Sequence, residues 1–217
     1  EQIQVCAKNH GTAVIDEALL DEVTGLVEWP VALLGNFDPK FLVVPQEALI
    51  SAMQVHQKSF AIRAEKGELL PMFITISNIE SRNKKTVIVG NERVIRARLS
   101  DAEFFYQEDI KHNLDSFVSK LKTVVFQAKL GSLFEKMTRN GQLAHIIAKE
   151  IKANPLEAER AAFLAKADLM TQMVGEFPEL QGIMGYYYAL QAKEPDHVAL
   201  AIREHYLPRF AGDALPT

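Results

Sequence analysis

The chain has 217 residues, enough for one large or two small domains with cores of their own. Hydrophobic residues make up 48% and charged residues 24%, and no apolar run is long enough to span a membrane, so the composition is that of an ordinary globular protein. A net charge of −4 weighs against a nucleic-acid binder on the sum alone, and the single cysteine, Cys6, excludes an intrachain disulfide and a cysteine-based zinc site. One cysteine and no basic, then apolar, secretory segment fit a cytoplasmic location. The chain starts at Glu1 rather than a methionine and is expected to be an internal piece of a longer polypeptide.

The first half mixes strand and helix signals. Residues 31–34 and 41–44 read as short strands either side of a turn at Asn36, Asp38 and Pro39. Pro45 is placed to open a helix carrying Leu49, Met53, His56 and Phe60 on one face. A turn follows at residues 65–68, then a β-rich stretch over 72–79 and a further strand over 86–89 that Gly90 stops. Asn91 reads as the N-cap of a long helix through Val94, Ala97, Asp101, Phe104 and Phe105, continued with a break through Leu114, Phe117 and Leu121. The strand-to-strand spacings are too short for repeated parallel crossovers, so antiparallel or mixed pairing is expected.

From about Phe126 every signal is helical. Phe126, Leu130, Leu133, Phe134, Met137, Leu143, Ile147 and Ile151 form an apolar stripe. Asn154, Pro155 and Glu157 spell a cap, a first-turn proline and a capping-box glutamate. A helix through Leu164, Ala167, Met170, Met173 and Val174 ends at Pro178, and two more cover residues 181–190 and 198–206. The class is therefore α+β: an α/β domain over residues 1–125 and an all-α domain over 126–217.

No catalytic motif is present: no Walker loop, no paired-glycine dinucleotide loop, no Gly-x-Ser-x-Gly elbow, and no metal-binding spacing among the six histidines. Between residues 81 and 98 the bases Arg82, Lys84, Lys85, Arg93, Arg96 and Arg98 face one acid, Glu92. That excess suits phosphate; the plainer reading is a solvated loop and helix face. His56, Gln57 and Lys58 stand at a helix end, as a dipole-favoured cap or as a second polar contact to a nucleotide. Asp168 lies among apolar residues, with Lys166 two positions away on another face. It is either bonded to a neighbouring helix end or the relic of a metal ligand. Tyr186, Tyr187 and Tyr188 are expected to spread around a helix, two into the core and one outward, with base stacking as the alternative.

Several blocks in one order resemble the bacterial glycyl-tRNA synthetase beta subunit: LDEVTGLVEWP at 20–30, NIES at 78–81 and GNERVIRARLSDAEFF at 90–105. In the second half they are KADLMTQMV at 166–174, EFPELQGIMG at 176–185 and REHYLPRFAGD at 203–213. The resemblance implies a two-chain, ATP- and magnesium-using ligase whose alpha chain carries the adenylation site and whose beta chain is needed for a glycine-specific tRNA. It implies no catalytic residue and no cofactor on this stretch. The helical half resembles an HD phosphohydrolase fold in which the His-Asp pair falls on Ala167 and Asp168. Alanine has no ligand atom, so a fold kept for binding is expected, with no metal site. On this reading Arg82, Lys84, Lys85, Arg93, Arg96 and Arg98 contact tRNA phosphates, and His56, Gln57 and Lys58 form a weaker second patch. The alternatives are a module that holds the alpha and beta chains together, or a metal-dependent phosphohydrolase.

Overall fold

A computed structural model describes residues 1–217, and the chain packs into two units, Glu1–Phe104 and Phe105–Thr217. The division falls inside a long helix, N-terminal to the boundary expected near residue 126.

The first unit is built on a four-stranded antiparallel sheet in the order β1-β3-β4-β2. Its strands are β1 (Thr12–Ala13), β2 (Val31–Asn36), β3 (Phe60–Arg63) and β4 (Leu69–Ser77). Side chains alternate across a strand, so each strand supplies both faces. Phe60, Ile62 and Ile74 pack on one face against Ile3 and Ala7 of α1 (Gln2–Ala7) and Leu19 and Val23 of α2 (Glu17–Leu26). The alternate positions, Leu33, Ala61 and Phe73, are buried too. Gly35 lies under Phe73: a Cβ there would stand 2.5 Å from the ring, so the strand crosses Phe73 only where a side chain is missing. α3 (Gln46–Gln57) buries Leu49 and Met53 completely.

Four expectations fail in this unit. Residues 41–44 are no strand: Pro39–Val43 forms a 3-10 turn capped by Asp38, whose carboxylate accepts from Lys40 N at 3.0 Å. α3 stops at Gln57 and Phe60 is already in β3, because Lys58 takes a left-handed conformation (φ 50°) and turns the chain. Residues 86–89 are helical, inside α4 (Lys84–Asp109), which runs on through Gly90 and Asn91. The β-branched preference of Thr86, Val87, Ile88 and Val89 is overridden by packing, since Ile95, Leu99 and Ala102 at helical spacing are buried. Asn91 caps nothing; its amide donates to Val87 O at 2.9 Å, one helical turn back.

The second unit is helical, with a short antiparallel hairpin of β5 (Val125–Gln127) and β6 (Gly131–Ser132) where continuous helix was expected. Its helices are α5 (Leu114–Lys120), α6 (Leu133–Glu150), α7 (Pro155–Leu164), α8 (Gln172–Glu176), α9 (Ile183–Gln191) and α10 (Asp196–Glu204). Ser132 and Glu135 close a capping box that starts α6, and Asn154 accepts from Leu156 N and Glu157 N to start α7. The expected stripe of α6 is only partly a core. Met137 and Ala148 are buried, whereas Leu143, Ile147 and Ile151 are exposed, with Ile146 beside them. The segment expected to be one helix ending at Pro178 is broken into a 3-10 turn (Ala167–Met170) and α8. No helix is long and apolar enough to cross a membrane.

Candidate nucleic-acid interface

α4 positions the basic residues. Asn83, just before it, accepts from Thr86 N at 3.2 Å in the manner of an N-cap. Glu92 then accepts from Asn36 N, at the end of β2, at 2.9 Å, and Asn91 Oδ1 meets the Thr75 hydroxyl of β4 at 3.5 Å. These contacts hold one side of the helix to the sheet and leave the other side outward.

At about 100° per residue, Lys85, Arg93 and Arg96 fall within a sector of about 80°. All three are exposed, and they extend along about 16 Å of helix axis at about 1.5 Å per residue. The structure does not bring the other expected bases to that stripe. Arg98 points about 180° away from its centre and is half-buried. Lys84 turns to Glu80 at 3.5 Å, and Arg82 is exposed in the segment before the helix. Further along, Glu103 continues the stripe and is matched by Lys40 at 3.6 Å.

The second expected patch is on another element. His56 is exposed in the last turn of α3, Gln57 is half-buried, and Lys58 reaches Glu22 of α2 at 2.8 Å. That pair offsets the charge of Lys58.

Asp168 sits in the helical unit on the 3-10 turn, fully buried. Its Oδ2 accepts from Gly182 N at 2.6 Å and Gly185 N at 3.1 Å, two of the open amides at the start of α9. Burial pushes its pKa up to about 6, against the pull of those two amides and of Lys166. Burial likewise draws the Lys166 ammonium down to about 8, and its Nζ lies 3.3 Å from the centre of the Tyr206 ring. The carboxylate is thus engaged as a helix cap, the plainer of its two expected roles. No group of three or more His, Cys, Asp and Glu side chains comes together to hold a metal ion. Of the tyrosine run only Tyr188 enters the core; Tyr186 and Tyr187 are half-exposed and meet edge to face at 5.2 Å.

Sequence reasoning missed two ionic centres. Asp109, at the end of α4, accepts from Gln172 N and Met173 N at the start of α8. Arg160 of α7 grips Asp115 of α5 through both terminal nitrogens, at 2.7 and 2.6 Å, and Glu194 through Nε at 3.2 Å. The carboxylates hold its pKa above the usual guanidinium range. Partners 45 and 34 residues apart leave no local spacing signal.

The family model described as "Glycyl-tRNA synthetase beta subunit" matches residues 1–217. A glycine–tRNA ligase beta subunit of Coxiella burnetii is 58% identical over 214 residues, 99% of this chain and 31% of the relative. The corresponding subunits of Stutzerimonas stutzeri and Azotobacter vinelandii are 54% and 55% identical, over 99% and 98% of this chain and 31% of each relative. The chain spans about a third of the length of these relatives and belongs to the glycyl-tRNA synthetase beta subunit family.

Proposed function

We propose that this chain is a non-catalytic, tRNA-positioning part of a cytoplasmic glycine–tRNA ligase. It holds the glycine-specific tRNA while ATP- and magnesium-dependent glycylation takes place on the alpha subunit. The observation that carries this reading is the stripe of Lys85, Arg93 and Arg96 on the outward face of α4. Three unmatched cations over about 16 Å suit a run of phosphates, which fix position without reading sequence. Arg82 extends the same charge to the segment before the helix. Lys84, Arg98, His56, Gln57 and Lys58 contribute less, since each is paired, turned away or on another element. The helical unit is read as a binding fold without hydrolytic chemistry, because residue 167 is an alanine with no ligand atom and Asp168 Oδ2 caps α9.

The test is binding of a glycine-specific tRNA transcript at two salt concentrations, with duplex DNA as control. Saturable binding that prefers the tRNA and weakens as salt rises supports the reading; equal affinity for both nucleic acids, or none, removes it.

A second reading has its own observation. Leu143 and Ile146 are exposed on the side of α6 away from Met137 and Ala148, and Ile147 and the C-cap Ile151 expose further aliphatic surface on the flank between the two sides. A helix apolar on both sides is ordinarily covered on both. This favours an additional scaffolding role, in which the face meets the alpha chain or the rest of the beta chain.

A further inference from the structure

Trp29 is the only tryptophan in the chain, and it is 65% exposed. A side chain of that size is ordinarily well buried, so an outward indole on an ordered backbone asks for a ligand. The backbone beneath it is fixed from across the sheet: Asn78 Oδ1 accepts from Glu28 N at 2.7 Å and from Trp29 N at 2.9 Å. Leu26 and Ile79 are also exposed here, and Ile79 O is held by the Ser77 hydroxyl at 3.0 Å. From Asn78 the chain runs directly into the basic segment. Four residues span at most ~14 Å, so Arg82 lies within that distance of the Asn78 clamp. Lys85 follows in the first turn of α4. Lys84 and Glu80 cancel one another, which leaves Arg82 and Lys85 against Glu28.

We propose that Trp29 is a stacking platform for one unpaired base of the bound RNA, with Arg82 and Lys85 holding the phosphates beside it. The proposal rests on the tRNA-binding reading above and goes further by naming the group recognised. A purely aliphatic protein surface has no need of two unmatched cations at its edge. A single-stranded nucleotide presents a flat π-face together with a negative backbone, and this corner offers a complement to both.

The experiment uses the complete beta subunit with its alpha partner, as parent, Trp29→Phe and Trp29→Ala. Tryptophan emission is followed as glycine-specific tRNA is added, and the Trp29→Phe signal is subtracted to isolate the indole. The expected result is quenching that saturates with tRNA binding, is not produced by heparin, and accompanies roughly tenfold weaker binding in Trp29→Ala. Trp29→Phe, which can still stack, keeps most of the affinity. Unchanged affinity in Trp29→Ala with no quenching in the parent overturns the stacking role while leaving the tRNA-binding reading intact. Absence of tRNA binding by the parent overturns both. Quenching on assembly with the alpha chain, and none on adding tRNA, overturns the proposal by assigning the corner to the subunit interface.

Discussion

The phenol of Tyr188 donates to Asp109 Oδ2 at 2.8 Å, across 79 residues of sequence. Asp109 is 2% exposed and receives two further bonds, from Gln172 N and Met173 N. One buried carboxylate therefore ends α4, starts α8 and fixes α9 through the tyrosine. Burial and the adjacent Asp109 charge both drive the Tyr188 pKa above the ordinary phenol range, so it remains a donor at any physiological pH. Removing one partner of a buried bond costs more than the bond contributes, because the other partner stays desolvated. Tyr188→Phe leaves Asp109 two donors and is expected to cost about 1–2 kcal/mol. Asp109→Ala strands two amides and a phenol and is expected to cost roughly 3 kcal/mol or more. Urea unfolding followed by circular dichroism checks the order; equal losses would show that the tyrosine bond carries the whole effect.

Two glycines with opposite surroundings give predictions of opposite sign. Gly90 lies within α4, and a Cβ there meets nothing within 4 Å. Gly90→Ala is expected to stabilise by about 0.5–1 kcal/mol, the helix-propensity difference. Gly185 is also helical, yet its Cβ would stand 2.7 Å from Ile202 Cγ2 and 3.0 Å from Asp168 Oδ2. Ile202 is fully buried and cannot yield, so overpacking of about 1–3 kcal/mol outweighs the propensity gain in Gly185→Ala. Thermal unfolding of both variants tests the pair. Destabilisation by Gly90→Ala would argue for the strand end that the sequence suggests at that position.

Those glycines also show what was legible in the sequence. The caps at Asp38, Ser132 and Asn154 act within a few residues, and at Asn154 local chemistry was enough to place the start of α7. The β-rich stretch near 72–79 was legible because β4 is nine residues long and carries the strand-formers Phe73, Ile74, Thr75 and Ile76 in a row. Residues 86–89 were not, because four β-branched residues in a row have a strand preference that only the distant sheet overrides. The candidate interface was half legible. Local charge named all six bases, but sorting Lys85, Arg93 and Arg96 from Arg98 needs the helix phase, and a helix starting at Asn91 instead of Lys84 excludes Lys85. Trp29 is invisible to pattern reasoning, since its exposure depends on how residues 28–29 meet Asn78. The bond of Asp168 to a neighbouring helix end was legible as one of two alternatives, and it is the position of Gly182 and Gly185 that supplies the partners.

The pH response of the helical unit divides between the half-buried His205 and the buried Asp168. Burial lowers the His205 pKa to about 4, so the unfolded chain takes up this proton first, at its ordinary pKa near 6.5. The stability contributed by neutral His205 is present above about 6.5 and is lost as the pH falls toward 4. Asp168 has the reverse sign: with a folded pKa of about 6, it makes the fold less stable as the pH rises from its unfolded value of 3.8 toward 6. Relative to the parent, His205→Gln should therefore gain stability as the pH falls from 6.5 to 4. Asp168→Asn should gain relative to the parent as the pH rises from 4 to 6. Urea midpoints of parent and variants across that range check both slopes, and parallel curves would mean that neither group is as shielded as its burial indicates.

The phase of α4 makes the sharpest prediction about the proposed RNA interface. Arg93 and Arg98 are five residues apart with the same charge, and they differ chiefly in the direction they face. If the stripe contacts phosphate, each member releases about one counterion, so replacing it lowers the slope of log affinity against log salt by about 1. Arg93→Gln and Arg96→Gln in the complete beta subunit with its alpha partner are expected to weaken tRNA binding at low salt and to flatten that slope, each by a similar amount. The double variant should show the sum, because separate phosphate contacts add. Arg98→Gln carries the same change in net charge but lies on the far side of the helix, and its slope should match that of the parent. This control separates a located contact from a general field: were net charge all that mattered, the three single variants would be indistinguishable.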